Sequence, residues 1–143
     1  MNNNLDFASI LNNSENLTDI LKYYKKKFPK KKFLFRKFGS KWIGESFEEI
    51  NQRVNKIIAI FQNLGVKKSD RIFLLSSNRI EWVEFDIAIM SVGAISVPSF
   101  VTNNEGDNAF IIKDCKPKIV ILENDEIFRR NKLSLKSFDK KRI

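Results

Sequence analysis

The stretch "RIFLLSSNRIEWVEFDIAIMSVGAISVP", residues 71–98, decides the fold class. Residues 72–75 are a short apolar run of the kind that forms a strand buried on both faces. Residues 78–92 follow as a helix that is apolar almost all round. Its polar stripe is narrow: Glu81, Glu84 and Ser91, with Ala88 among them. Such a helix is covered by protein on most sides. Gly93 ends it, and "AISVP", residues 94–98, reads as a second short strand. Strand, helix and strand in this order imply a parallel crossover and an α/β sheet.

Working upstream, "SFEEINQRVNKIIAIFQNLG", residues 46–65, carries the clearest helix signal. Ser46 and Glu49 have the spacing of a capping box. Ile50, Val54, Ile57, Ile58, Phe61 and Leu64 form one apolar stripe, and Gly65 supplies a left-handed stop. Before it, "KFLFRKF" and "KWIGES" flank Gly39-Ser40 and predict a β-hairpin. Leu17, Ile20, Leu21, Tyr24 and Phe28 recur at helical spacing still earlier, with Asn16 or Thr18 as caps and Pro29 at the end. Downstream, residues 104–114 read as a helix weakened by Gly106. Pro117 blocks its continuation, and "KIVIL", residues 118–122, is a third strand.

These elements predict an incomplete layered α/β domain. A short parallel βαβαβ sheet with packing helices is preceded by a helix and a hairpin. The expected divisions are a loose Asn-rich segment, 1–15, a partial domain, 16–125, and an irregular basic tail, 126–143. Three parallel strands leave open sheet edges, which complete domains usually protect.

Composition narrows the chemistry. The chain has no histidine, which removes the commonest general base, the His-dependent triads and most zinc sites. A single cysteine, Cys115, excludes a disulfide framework within one chain and fits a reduced cytoplasm. The opening "MNNNLDFASILNN" lacks the basic-then-apolar pattern of a signal peptide, and no apolar run approaches membrane-spanning length. The net charge of +9 is uneven: +4 over residues 1–50, zero over 51–115 and +5 over 116–143. The neutral middle holds the α/β pattern.

Four features compete for a functional reading. Ser76-Ser77-Asn78 lies where a strand meets a helix, the usual ligand corner of α/β proteins. No G-x-G-x-x-G or phosphate-loop motif accompanies it, so helix capping by Asn78 with Glu81 is the expectation. Asp86 falls among Trp82, Val83, Ile89, Met90 and Gly93 on the helical wheel, off the polar stripe. A buried, hydrogen-bonded structural acid is expected there, because a charge among apolar residues needs a partner. Cys115 sits beside Asp114 and before Lys116-Pro117 at the end of a helix, and a lone cysteine there reads as a small hydrophobe rather than a catalytic thiol. The run "KYYKKKFPKKKF" mixes lysine with aromatics, as surfaces that bind nucleic acid or anionic membranes do, but also as a solvated helix face does.

The order of these words resembles the N-terminal part of AMP-forming acyl-CoA synthetases, especially the long-chain fatty-acid–CoA ligases. The match runs through "NLTDILKYYKKKFPKKKFLF", "WIGESF", "LGVKKSDRI", "SSNRIEW", "FDIAIMSVGAISVP" and "KPKIVIL", about residues 16–125. Many members have Pro where Ile80 stands, a first-turn position that tolerates either. The resemblance implies a family that uses ATP and Mg²⁺ to convert a fatty acid to an acyl-adenylate, then passes the acyl group to coenzyme A. The family's Ser/Thr/Gly-rich phosphate loop, ribose-binding acid and C-terminal lysine match no position here. No catalytic, cofactor-binding or metal-ligating residue is therefore carried over. The expectation is a scaffold fragment that binds no cofactor alone, either a truncated frame or one piece of a split ligase whose partner is the remainder. It would be cytoplasmic, with peripheral membrane contact at its basic ends. The alternative from composition is a small basic α/β module for anionic membrane or nucleic acid.

Overall fold

The computed structural model describes Ser14 and residues 17–136. The loose segment expected over 1–15 thus lies, save for Ser14, outside the described residues. In chain order the elements are helix α1 (Leu17–Lys27), strands β1 (Lys32–Phe38) and β2 (Lys41–Ser46), helix α2 (Phe47–Asn63), strand β3 (Arg71–Leu75), helix α3 (Ile80–Ser91), strand β4 (Ile95–Ser99), helix α4 (Glu105–Cys115), strand β5 (Ile119–Leu122) and helix α5 (Asp125–Arg130). Two units divide between Arg53 and Val54.

The first unit is α1, the hairpin and the start of α2. The Ser46–Glu49 capping box forms as its spacing predicts. The Ser46 N–H and hydroxyl donate to Glu49 Oε2 at 2.6 and 2.7 Å, and Ser46 Oγ accepts the Glu49 N–H at 3.3 Å. The Ser46 N–H, then its hydroxyl and Lys32, hold the Glu49 carboxyl down at about 2. Aromatic rings pack together in this unit. The Phe47 ring stacks on Phe33 at 4.5 Å and on Tyr24 at 5.5 Å.

The second unit is a three-stranded parallel sheet in the order β4–β3–β5. β3 is central, and Ile72, Phe73, Leu74 and Leu75 are all buried, as an apolar run without alternation predicts. Successive side chains alternate faces. Phe73, Leu75 and Val120 pack with Ile112 of α4, Ile127 of α5 and Leu135. Leu74 and Ile121 face Trp82 and Phe85 of α3 across a small cleft. Gly65 (φ 69°) closes α2 as expected, with Val66 N–H donating to Phe61 O and Gly65 N–H to Gln62 O, which are the two bonds of a Schellman stop.

Of the irregular basic tail expected over 126–143, residues 137–143 lie outside the described residues, and residues 126–136 depart from expectation. Asn124 caps α5 by accepting the Ile127 N–H at 2.9 Å, and residues 131–136 continue as turns that return to the core. Leu135 is 3% exposed. Glu105 Oε1 accepts the N–H groups of Leu133 and Ser134, fixing the turns against the start of α4. Two isolated apolar anchors, Ile127 and Leu135, are too sparse to show a period in sequence, so charge dominated the reading. Among the described residues no helix is long and apolar enough to cross a membrane.

Candidate functional site

From β3 the chain crosses to β4 on one side, and from β4 it returns past β3 to β5 on the other. The connections that leave the adjacent strands β3 and β5 therefore diverge. A crevice outside the carboxyl ends of such strands is where open α/β sheets place ligands. A cleft of about 180 Å³ lies there, lined by Leu74, Ser76, Arg79, Trp82, Phe85, Ile121 and Glu123, with Glu81 at its edge.

Glu123, the residue after β5, organises this corner. Its Oε2 accepts the Ser77 N–H at 2.7 Å and the Ser76 hydroxyl at 3.3 Å, and its Oε1 lies 3.6 Å from Arg79 Nη1. Hydrogen bonds from Ser77 hold the Glu123 carboxyl below the usual carboxylate range, against the opposing effect of burial, with help from the Arg79 charge. Arg79 Nε also donates to Glu81 Oε2 at 2.8 Å, and that bond raises the guanidinium pKa further.

The expected Asn78–Glu81 cap does not form. The N-cap of α3 is Arg79, with extended backbone and no side-chain cap bond. Glu81 turns to the Arg79 guanidinium instead, a charged donor that outcompetes a backbone N–H. The Ser76 hydroxyl and the Ser77 N–H donate to Glu123.

Asp86 also departs from expectation. It is half-buried, with no hydrogen-bond partner among the described residues. The acid that α3 buries is Glu84, 3% exposed, beside Ile80, Ile87 and Ala88. The helical wheel ordered the residues correctly, but the covered face includes Glu84 and Ala88 from the expected polar stripe. Polar identity masked a burial that Ala88 signalled. Cys115 is half-buried rather than a core residue; burial pushes its thiol up, and the nearby Arg71 charge only partly opposes this. The lysine run ends α1 and enters β1. Lys27 sits over the Tyr23 and Phe28 rings at 5.4 and 5.7 Å, and Lys31 over Phe28 at 5.6 Å.

Sequence reading missed Arg79 and Glu123. Glu123 carried a usable signal: an acid directly after an apolar strand stands at the carboxyl edge of a parallel sheet. Among the described residues no three His, Cys, Asp or Glu side chains converge to hold a metal ion.

Comparison with known proteins gives a consistent result. Residues 21–142 match the family described as AMP-binding enzyme. A long-chain-fatty-acid–CoA ligase of Mycobacterium tuberculosis is 27% identical over 84 residues, 59% of this chain and 14% of that protein. A long-chain-fatty-acid–CoA ligase of Mus musculus is 26% identical over 93 residues, 65% of this chain and 14% of its own length. A fatty acyl-adenylate ligase from L. pneumophila, solved with acyl adenylate and pyrophosphate, shares the fold. It has a TM-score of 0.74 at 20% identity, over 91% of this chain and 23% of that one. VinN shares it with a TM-score of 0.76 at 20% identity, over 82% of this chain and 29% of its own. The chain thus spans about 14% of the length of the curated relatives it matches.

Proposed function

The chain belongs to the AMP-binding enzyme family, and from that membership we propose that it supplies the opening scaffold of an ATP-dependent fatty acid–CoA ligase. The whole ligase would convert a fatty acid and ATP, with Mg²⁺, to acyl-adenylate and pyrophosphate, then transfer the acyl group to the coenzyme A thiol with release of AMP, in a cytoplasmic setting. The carrying observation is the family match through residues 21–142 together with relatives that are long-chain-fatty-acid–CoA ligases.

The contribution of this chain is structural. The switch-point cleft does not fit a nucleotide triphosphate. At about 180 Å³ it is smaller than the 300–1,000 Å³ typical of ligand pockets. Its two carboxylates, Glu81 and Glu123, repel phosphate, and its cation, Arg79, is already bridged between them. Among the described residues no three acids converge as a Mg²⁺ site would require, and no reaction step is routed through these residues. Glu123 instead ties the end of β3 to the end of β5, fixing the sheet edge at which the scaffold would meet the rest of a ligase.

Equilibrium dialysis of the purified chain against ATP with Mg²⁺ tests this. Binding no tighter than about 1 mM is expected, a free energy near −4 kcal/mol. Saturable binding in the micromolar range would overturn the scaffold reading and make the chain a nucleotide-binding domain in its own right.

A further inference from the structure

A relay of polar side chains runs through the core of the second unit. The Asn103 amide donates to Ser99 Oγ at 3.1 Å, the Ser99 hydroxyl to Asn108 Oδ1 at 2.6 Å, the Asn108 amide to Asn131 Oδ1 at 2.7 Å and the Asn131 amide to the Ile127 carbonyl at 2.9 Å. Ser99, Asn108 and Asn131 are 4%, 1% and 5% exposed, so water does not substitute for these bonds. Every donor points the same way along the relay, and hydrogen bonds in series strengthen one another. A buried amide or hydroxyl that loses its partner is costly.

The relay joins three separate parts of the chain. Ser99 closes β4 at the carboxyl edge of the sheet, Asn108 lies near the start of α4, and Asn131 follows α5. Further bonds run beside it. Glu105 Oε1 accepts the Leu133 and Ser134 N–H groups, the Glu105 carbonyl accepts the Ser134 hydroxyl at 3.2 Å, and Arg130 donates to the Val101 carbonyl at 3.3 Å. Residues 124–136 thus form a strap, anchored in the core by Ile127 and Leu135 and bonded to α4 and to the loop 100–104. Apolar anchors alone tolerate a shifted docking. The buried relay does not, because a slip of the strap leaves its amides unpaired.

We propose that the Ser99–Asn108–Asn131 relay is a latch: the strap opens and closes as one unit, and the loop after β4 opens with it. Closing the strap completes the relay and pulls Asn103 onto Ser99, which fixes the loop. Opening it leaves Asn108 and Ser99 without their partners, so the loop loses its reason to hold the same shape. The loop leaves the carboxyl edge of the sheet, the edge at which open α/β folds place ligands. Docking of the strap therefore sets the form of that edge, and by reciprocity anything that orders the loop favours the docked strap. This inference goes beyond the scaffold reading and does not depend on it.

Native-state hydrogen exchange of the full chain, followed by NMR at increasing urea, tests the latch. The reporters are amides bonded in the closed form: Asn103 N–H to Phe100 O, Asn131 N–H to Phe128 O and Leu135 N–H to Asn131 O. All three should share one opening equilibrium and one urea dependence, both below those of the β3 amides, which exchange only when the whole unit unfolds. Ser99→Ala supplies the second arm, because Ser99 bonds to Asn108 and Asn103 and not to the strap. It should still speed exchange at Leu135 by about tenfold, the same factor as at β3. Unchanged Leu135 exchange in that variant would overturn the proposal, since the strap would then open with the Ser99 bond intact. So would separate openings for Asn103 and Leu135, or a Leu135 amide that exchanges only together with β3. If Ser99→Ala does not fold, the urea dependences of the unaltered chain decide.

Discussion

Glu123 shows what one carboxylate can fix at the edge of a parallel sheet. It gathers the Ser77 N–H, the Ser76 hydroxyl and the Arg79 guanidinium. Hydrogen bonds to a charged acceptor are stronger than neutral ones. Glu123→Gln keeps the shape but removes the charge, and is expected to cost about 1–2 kcal/mol at neutral pH, read as a lower urea midpoint. The sign with pH follows from the depressed carboxyl. Its stabilisation is complete above the unfolded value of about 4.3 and is lost as pH falls through the lower folded value. The gap between wild type and Glu123→Gln should therefore close below about pH 4. A gap that stays constant into acid would show that the charge contributes nothing.

At the scale of elements, the helix starts differ in how they are capped. α4 begins with a full box: Asn104 Oδ1 accepts the Asp107 N–H at 3.0 Å, and the Asp107 carboxylate accepts the Asn104 N–H at 3.2 Å. α3 begins at Arg79 without a side-chain cap. Asn104→Ala should thus cost about 1 kcal/mol, whereas Asn78→Ala should stay within about 0.5 kcal/mol of wild type. Comparable losses at both positions, measured by denaturant unfolding, would mean that Asn78 caps after all. The contrast also shows what was legible. Ser46–Glu49 and Asn78–Glu81 have the same spacing, and only the first forms a box. The second fails because Arg79 stands between its members and takes Glu81, a competition that spacing alone does not encode. Period and turn residues, by contrast, were enough to predict the hairpin at Gly39, the stops at Gly65 and Gly93, the buried strand β3 and the strand β5.

For the whole molecule, the core of the second unit reaches further along the chain than its charge pattern implies. Leu135 packs with Phe73, Leu75 and Val120, although it lies in a stretch dense in Lys and Arg. Leu135→Ala should cost about 2–4 kcal/mol, whereas a surface leucine would cost little. A change below about 0.5 kcal/mol would place residues 131–136 outside the core. The switch-point cleft was legible as a location only through the polar junction after β3, where a strand meets a helix. Its occupants were not, because Glu123 reaches Ser77 from a position 46 residues away in sequence. Such long-range pairing depends on which strands become neighbours, and β5 joins β3 only after the chain has crossed the sheet twice.

The central claim is that this family member carries the scaffold and not the chemistry. Fatty-acid-dependent exchange of pyrophosphate into ATP tests it most directly, because exchange reports acyl-adenylate formation itself. The assay compares this chain alone with a fusion in which it replaces the matched segment of the Mycobacterium tuberculosis ligase, folding being checked by circular dichroism. The account predicts no exchange from the chain alone and restored exchange from the fusion. Exchange by the chain alone, or none from a folded fusion, would contradict it.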